Sequence, residues 1–356
     1  MTTAMRTMLE ELAALATKVG RHLNLMEVCG THTVEIFRHG IRSVIPGSIT
    51  LLSGPGCPVC VTSIRDVDAA ISIAKRPGTV LVTFGDMMRV PGGKQSLMDA
   101  RSEGADVRVM YSPLEALRLA QQEPGKSVVF FATGFETTSP LIAATVLAAS
   151  NQSVTNFSIF SSHKTVPLAL KALLNSPDVK VDGFILPGHV STIIGLRPYE
   201  FVAAQYRKPC VVTGFEAREI LLGILMILRQ IAKGQATVEN AYPGVVNEEG
   251  NPKAVAILNE IFEPSDAYWR GIGTIPGTGL KLRDPYRAFD AEARFHPETT
   301  GIPEPELCSC GDILRGVKVP TECPLFGTGC TPENPVGPCM VSTEGSCAAY
   351  YKYGQQ

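Results

Sequence analysis

Apolar segments of strand length alternate with helix-like segments through most of this chain, and this alternation limits the fold more than any other feature. The helix-like segments follow loops rich in glycine, proline and polar residues. Repeated strand–loop–helix units favour a parallel sheet covered by helices, so the sequence predicts the α/β class. The predicted strands are 24–28, 49–53, 79–84, 106–111, 127–133, 157–161, 183–186 and 209–213.

One short sequence occurs twice at strand-to-helix junctions. Thr-Gly-Phe-Glu occupies 133–136 and again 213–216. This internal echo favours two similar parallel-sheet (Rossmann-like) lobes. The alternative explanation is electrostatic, because Glu136 and Glu216 would be favourable at any helix N-terminus. The predicted domains are lobe 1 over 1–125, lobe 2 over 126–235 and a small irregular cysteine-rich domain over 236–356.

Composition narrows the choice of partner and compartment. The chain has 356 residues, enough for about two or three domains, and a net charge of −2, which argues against nucleic acid as a partner. The longest apolar run, 220–228, is too short to span a bilayer, and Glu10 and Glu11 interrupt the apolar N-terminal segment as in an amphipathic helix. We therefore expect a cytoplasmic protein. Ten cysteines in such a reducing compartment indicate metal or redox chemistry.

A Cys-x-x-Cys pair lies between a predicted strand and a predicted helix over 61–74. The stretch 53–60 reads Ser-Gly-Pro-Gly-Cys-Pro-Val-Cys and places Cys57 and Cys60 in one loop. Such a pair can form a small disulfide ring, bind a metal or contain a thiol of lowered pKa. In the alternative, both cysteines are small buried hydrophobic residues. The glycines and prolines suit a shaped loop better than a packed strand.

Cys29 lies in a second strand-to-helix turn, and His32 follows three residues later. On a starting helix both side chains project from the same face. A thiolate and an imidazole placed in this way can share a metal, or the imidazole can activate the thiol. A buried cysteine beside a capping histidine is an equally open alternative. His189, on the loop 187–191, is a further candidate site residue.

The chain changes character near residue 237, where proline, glycine and acidic residues become common and 274–279 is predicted to be a loop. The region after Pro303 has too little apolar periodicity to bury a core of its own, so it needs a metal or disulfides to fold. Wide, uneven cysteine spacing suits a cubane iron–sulfur cluster, with two spare thiols for a disulfide; a four-cysteine zinc site stays open. The cysteines of this tail are Cys308, Cys310, Cys323, Cys330, Cys339 and Cys347.

Several separate blocks then point to a known family. They are Glu27-Val-Cys-Gly-Thr-His-Thr33, Gly54-Pro-Gly-Cys-Pro-Val-Cys60, Phe84-Gly-Asp-Met-Met-Arg-Val-Pro-Gly92, Thr133-Gly-Phe-Glu-Thr-Thr138, Pro187-Gly-His-Val-Ser191 and the tail from Cys308 to Cys347. In this order they resemble the HypD family of maturation factors for nickel–iron hydrogenases. The resemblance covers essentially the whole chain.

The resemblance implies two α/β lobes and a small domain that carries a [4Fe-4S] cluster. HypD-like proteins hold an iron ion together with the small protein HypC while cyanide and carbon monoxide are installed; HypE delivers the cyanide, and the product passes to the hydrogenase large subunit. By the same resemblance, Cys29 holds this iron with His32 close by, and Cys57 and Cys60 form a thiol–disulfide pair near it. The implied cluster ligands are Cys308, Cys323, Cys330 and Cys347, and the implied disulfide pair beside the cluster is Cys310 and Cys339.

These expectations describe a scaffold with redox activity rather than a conventional turnover enzyme. The alternative is a cluster-dependent disulfide reductase of the ferredoxin:thioredoxin reductase type, which leaves Cys29 and His32 without a role. A nucleotide-using enzyme fits poorly. Gly125-Lys126-Ser127 resembles the end of a P-loop, but Ala120 occupies the required first glycine position and the triplet precedes a strand.

Overall fold

The computed structural model describes residues 3–354, which form two parallel sheets, an antiparallel hairpin and an irregular tail. No helix within these residues combines the length and the apolar character needed to cross a membrane. The strands are β1 Leu23–Glu27, β2 Ile49–Ser53, β3 Thr79–Thr83, β4 Val107–Val109, β5 Ser127–Gly134, β6 Phe157–His163, β7 Gly183–Pro187, β8 Cys210–Thr213, β9 Val238–Asn240, β10 Phe262–Trp269 and β11 Gly273–Leu282.

Helices follow most of the parallel strands, as the alternating pattern predicts, and 3₁₀ turns join the remaining elements. The helices are α1 Thr3–Val19, α2 Gly30–Arg38, α3 Ile41–Val44, α4 Pro58–Val61, α5 Ile64–Ala74, α6 Leu97–Ser102, α7 Pro113–Gln122, α8 Ser139–Asn151, α9 Val166–Leu174, α10 Gly188–Ile194, α11 Glu200–Tyr206, α12 Ala217–Ala232, α13 Pro252–Ile261, α14 Ala291–Phe295, α15 Cys310–Leu314 and α16 Ser346–Tyr353. The 3₁₀ turns are Gly85–Arg89, Arg197–Tyr199, Asp284–Phe289, Pro320–Glu322 and Pro338–Met340.

The two parallel sheets confirm the predicted α/β fold with two Rossmann-like lobes. The first sheet has the strand order β2-β1-β7-β8-β9, and the second has the order β4-β3-β5-β6. Central strands such as β5 are buried along nearly their whole length, because helices cover both faces of a parallel sheet. The amphipathic helices α1 and α12 pack together on the first sheet, where Leu12, Ile224 and Leu228 are buried in one apolar cluster.

The sheets divide the chain differently from the predicted boundaries. Strand β5 pairs with β3, so the boundary at residue 125 falls between hydrogen-bonded neighbours. Strand β7 pairs with β1, which returns the chain to the first lobe after the second sheet is complete. Each lobe therefore draws on residues on both sides of the predicted boundary. Strand β9, at 238–240, still belongs to the first sheet, beyond the predicted start of the cysteine-rich domain.

The prediction of a loop over 274–279 is wrong, because this segment lies in β11 of the long antiparallel hairpin β10–β11. Its glycines and proline suppress the alternation by which strands are recognised, and pairing with β10 overrides the weak local propensity. The hairpin packs beside the edge strand β6 through a bridge between Lys164 and Gly279. A second bridge, between Thr62 and Trp269, ties its far end to the loop after the Cys-x-x-Cys pair.

The two Thr-Gly-Phe-Glu segments occupy equivalent strand ends in different sheets, β5 and β8. The glutamates of the two segments differ in burial and in hydrogen bonding. Glu136 is buried and accepts a hydrogen bond from the backbone N–H of Val166, whereas Glu216 is exposed and forms a capping box with Glu219 at the start of α12. The electrostatic explanation therefore describes Glu216 and not Glu136.

Candidate functional site: a group of thiols at the sheet edge

The two strand-to-helix loops that carry the first three candidate cysteines lie side by side. Strands β1 and β2 are parallel neighbours with Glu27 opposite Ser53, so their carboxyl ends open onto the same edge of the sheet. The N–H of Gly30 donates to the carbonyl of Gly56 at 3.1 Å. A Cβ atom at Gly56 would overlap the backbone nitrogen of Cys29, so only glycine allows this approach. The structure thus brings Cys29 next to the loop of Cys57 and Cys60.

Cys29 is buried at the residue before the first turn of α2. Its backbone N–H donates to Oε2 of Glu27 at 3.0 Å. Burial, together with the carboxyls of Glu344 and Glu27, raises the pKa of the Cys29 thiol to about 12, although the backbone amides of His32 and Thr31 oppose the shift. The thiol is therefore protonated at neutral pH until a cation takes the place of the proton.

Glu27 is a site residue that the sequence reading did not single out. It is fully buried, and its other carboxyl oxygen, Oε1, accepts a hydrogen bond from the hydroxyl of Thr33. Burial raises the pKa of Glu27 to about 8, although the hydrogen bonds from Thr33 and Cys29 oppose the shift. The available signal was an acidic residue at the end of an otherwise apolar strand, where a carboxyl group enters the protein interior only for a specific partner.

His32 does not project freely beside Cys29. Its Nε2 lies 2.9 Å from the carbonyl oxygen of Gly214 and 2.9 Å from Oγ1 of Thr213, at the end of β8. A carbonyl oxygen only accepts, so the neutral ring carries its proton on Nε2 and leaves a lone pair on Nδ1. That Nδ1 atom is buried and has no hydrogen-bond partner in the described residues. Burial lowers the pKa of His32 to about 4, so the ring is neutral at physiological pH.

His189 lies in the first turn of α10, directly after β7, and not in the predicted loop over 187–191. The ring of Phe215 lies between the two histidines, with its centroid 4.0 Å from that of His189 and 4.7 Å from that of His32. His189 is exposed, and partial burial lowers its pKa while Glu344 opposes that shift. Phe215 belongs to the second Thr-Gly-Phe-Glu segment. The repeat therefore contains a site residue other than its glutamates.

Glu344, in the tail, contacts this edge of the sheet, and the sequence did not indicate it as a site residue. Its Oε1 accepts a hydrogen bond of 2.7 Å from the hydroxyl of Thr31, in the first turn of α2. Glu344 lies between Cys339 and Cys347 in the sequence, so the segment that carries the tail cysteines closes against the Cys29 loop. No local pattern marks this residue, since its role depends on a contact between distant parts of the chain.

The Cys-x-x-Cys pair begins the short helix α4. Sγ of Cys57 accepts the backbone N–H of Cys60 at 3.3 Å, as an N-cap side chain does. The predicted helix over 61–74 is interrupted: α4 ends at Val61, and α5 starts again after Ser63, which caps the amide of Asp66. Burial raises the pKa of Cys60, and its hydrogen bonds with Cys339 and Cys57 raise it further.

Cys339 connects the loop thiols to the tail thiols. It is buried in one cluster with Cys57, Cys60 and Cys310, and the 3₁₀ turn Pro338–Met340 packs against α4. The Sγ atoms of Cys310 and Cys339 are 3.4 Å apart, which is the contact of two free thiols and longer than a covalent S–S bond. The implied disulfide pairing of these two residues stays a prediction, but their side chains are in contact.

The six tail cysteines surround one pocket. Ile313, Leu325, Phe326 and Met340 supply apolar walls between the thiols. A set of thiols in apolar surroundings has the donor chemistry of an iron–sulfur site. Within residues 3–354, no three His, Cys, Asp or Glu side chains converge as the ligands of a single metal ion. The cysteines that line the pocket are Cys308, Cys310, Cys323, Cys330, Cys339 and Cys347.

The fold and this site define a class: an α/β protein with two parallel sheets, in which loop thiols at one sheet edge are buried in one cluster with cysteines of a cysteine-lined pocket in the tail. The chain belongs to the HypD family. The HypD family model, described as "Hydrogenase formation hypA family", matches residues 3–354. The resemblance found in the sequence blocks is thereby confirmed.

Curated relatives are similar over nearly their whole length. The hydrogenase maturation factor HypD of Rhodobacter capsulatus is 48% identical over 356 residues, which cover 98% of this chain and 94% of the relative. That of Rhizobium leguminosarum bv. viciae is 48% identical over 353 residues, or 97% and 91% of the two chains. That of Azotobacter vinelandii is 48% identical over 343 residues, or 94% and 90%.

Proposed function

We propose that this protein is a hydrogenase maturation factor that holds an iron ion through Cys29 while cyanide and carbon monoxide are attached to it. One observation carries the proposal. The loops that carry Cys29, Cys57 and Cys60 lie side by side at one sheet edge, and Cys60 is buried in one cluster with Cys339 of the cysteine-lined pocket. Family membership and the names of the relatives agree with this role. We place its action in the cytoplasm, where thiols stay reduced.

The iron is the substrate of this scaffold, and a thiolate suits a low-valent iron that carries cyanide and carbon monoxide. Because burial favours the protonated thiol, iron binding must displace the Cys29 proton. Nδ1 of His32 offers a lone pair in the same turn. We infer that a small partner of the HypC type binds at this edge of the sheet and supplies a second thiolate.

Cys57 and Cys60 supply electrons for the release of cyanide from a carrier of the HypE type. In this step a carrier thiocyanate, R–S–CN, and two cysteine thiols give R–SH, hydrogen cyanide and the Cys57–Cys60 disulfide. The carrier's S–C bond breaks, the new S–S bond forms, and the two thiol protons pass to the carrier sulfur and to cyanide. The assembled iron unit then passes to the hydrogenase large subunit. In the alternative use of this pair, the thiols protect the bound iron.

The tail pocket fits a [4Fe-4S] cluster by the chemistry of its donors, since thiols and apolar side chains form its walls. When bound, such a cluster supplies one-electron transfer. Cys310 and Cys339, whose sulfurs touch, would be the redox pair beside it. We propose that the ligands are Cys308, Cys323, Cys330 and Cys347.

The test is anaerobic purification together with the HypC-type partner. We expect acid-labile sulfide, iron in excess of the cluster content, and infrared bands of cyanide and carbon monoxide bound to iron. Material that contains zinc, no acid-labile sulfide and no cyanide-bearing iron beside its partner proteins would contradict the proposal. A Cys29→Ser protein prepared in parallel distinguishes iron held by Cys29 from iron in the cluster.

A disulfide reductase is the second candidate, and the contact of Cys60 with Cys339 favours it, because it connects two thiol pairs. This candidate predicts steady reduction of a thioredoxin-like disulfide substrate and no need for Cys29. A scaffold instead predicts no turnover of such a substrate and a strict requirement for Cys29. Comparing wild-type protein with Cys29→Ser in both assays separates the two functions.

A further inference from the structure

A buried cation lies between the Cys57–Cys60 loop and the tail. Arg270, in the turn between β10 and β11, is 1% exposed. Its backbone N–H donates to the carbonyl of Val61 at 3.0 Å, and its Nη1 donates to the carbonyl of Pro91 at 2.8 Å. The Nη2 atom is buried and has no hydrogen-bond partner within the described part of the chain. A buried guanidinium with an unused donor is costly, so its position requires an explanation beyond packing.

The turn that carries Arg270 is pressed against the loop of the first tail cysteines. A Cβ atom at Gly271 would lie 2.6 Å from the backbone nitrogen of Gly311, the residue after Cys310. The charge of Arg270 acts on both nearby thiols by lowering their pKa values. The pKa of Cys308 is nevertheless raised, by its interaction with Cys310 and by burial. For Cys310 the interaction with Cys308 also lowers the pKa, but Cys339 and burial raise it above its ordinary value.

One carboxylate balances this cation. Oε2 of Glu304 lies 3.0 Å from Nε of Arg270, and Glu304 is three-quarters buried. Burial raises the pKa of Glu304, and Arg270 opposes that shift. Arg270 and Glu304 therefore place opposite charges beside the loop of the first tail cysteines, and each charge can be removed separately.

We propose that Arg270, opposed by Glu304, sets the reduction potential of the iron–sulfur cluster in the tail pocket; this inference rests on the proposed function. Reduction adds one electron, and hence one negative charge, to a group held by thiolates. A buried positive charge stabilises the reduced form and raises the potential, while a carboxylate beside it lowers the potential. Arg270 acts on the cluster through its charge and does not bind the cluster as a ligand.

The experiment is a dithionite titration of the anaerobically prepared protein, with the midpoint potential read from cluster absorption and electron paramagnetic resonance. We expect Arg270→Met to disfavour the reduced cluster about tenfold, which lowers the potential by ~59 mV for one electron. Arg270→Lys keeps the charge and should shift it much less. Glu304→Gln should move the potential in the opposite direction, upwards. Arg197→Met, which removes an exposed arginine paired with Glu249, should leave it unchanged.

Opposite shifts for the two partners support the inference, because a merely structural salt bridge would not give opposite signs. Unchanged midpoints in Arg270→Met and Glu304→Gln, with acid-labile sulfide at wild-type content, overturn it and leave the proposed function intact. If Arg270→Met does not retain its cluster, Glu304→Gln decides by itself: an upward shift supports the inference and no shift overturns it. Wild-type protein without acid-labile sulfide overturns both proposals.

Discussion

Cys60 and Cys339 are buried in one cluster, although Cys60 follows a strand of the first sheet and Cys339 belongs to the tail. Cys57 is the N-cap residue of α4, which contains Cys60, and Cys339 touches Cys310. Cysteines of the sheet edge and of the cysteine-lined pocket are therefore packed together. The predictions below separate the roles of these sulfurs from their contribution to the fold.

Replacement of Cys57 should stop hydrogenase maturation without loss of the fold. Cys57→Ser keeps an N-cap acceptor for α4, whereas Cys57→Ala also loses the cap, at a cost of about 1 kcal/mol in the free energy of unfolding. Both remove the redox thiol, so maturation of a hydrogenase in cells should fail in both, with cluster absorption retained. Cys210→Ala, at a buried cysteine of β8 away from the site, is the control and should support maturation. Normal maturation with Cys57→Ser would rule out the redox role.

Replacement of Cys29 should remove the iron that Cys29 is proposed to hold and spare the iron in the tail pocket. A serine has nearly the same size but is a poor ligand for low-valent iron, so Cys29→Ser should fold normally. Iron counting on the complex with the HypC-type partner should show only cluster iron, and the infrared bands of bound cyanide should be absent. Non-cluster iron at the wild-type level in this variant would show that another residue holds it.

Glu27 should make the stability of the protein fall as the pH rises from about 4.5 to about 8. Its pKa is about 8 in the folded state against an ordinary value of 4.5, so the folded chain binds more protons between these values. The stabilising contribution is therefore complete below pH 4.5, declines between the two values and is lost above about pH 8. Glu27→Gln cannot ionise, so denaturant unfolding should show the difference in stability between wild type and variant shifting in favour of the variant from pH 5 to 8 and staying constant at higher pH. Parallel curves from pH 5 to 8 would contradict a buried, protonated Glu27.

Gly56→Ala should disrupt the contact between the two cysteine loops. The added methyl group would overlap the backbone nitrogen of Cys29, and we expect a loss of about 1–3 kcal/mol in the free energy of unfolding together with loss of iron binding. Gly47→Ala is the matched control in the same lobe, because no atom lies within 4 Å of its added Cβ. Equal thermal unfolding of the two variants would show that the loops can separate at no cost.

The strands and the placement of the loops were largely readable from the sequence. The apolar segment 49–53, for example, is β2 with unchanged bounds, because alternation and turn residues act within a few positions. The hairpin β10–β11 was not readable, since Pro276 and several glycines weaken its pattern and only pairing with the opposite strand stabilises it. The lobe boundary was misplaced because β7 returns to pair with β1.

By itself, the sequence determined where the candidate side chains lie: the thiols of Cys29, Cys57 and Cys60 after strand ends, and six further cysteines in a tail with little apolar periodicity. Tertiary structure decided which of these groups meet. It placed Cys339 against Cys60, Nε2 of His32 against β8, and Arg270 beside the first tail cysteines. The physical reason is range: turns and caps are local interactions, whereas strand pairing and the burial of charged groups depend on surfaces formed by distant segments.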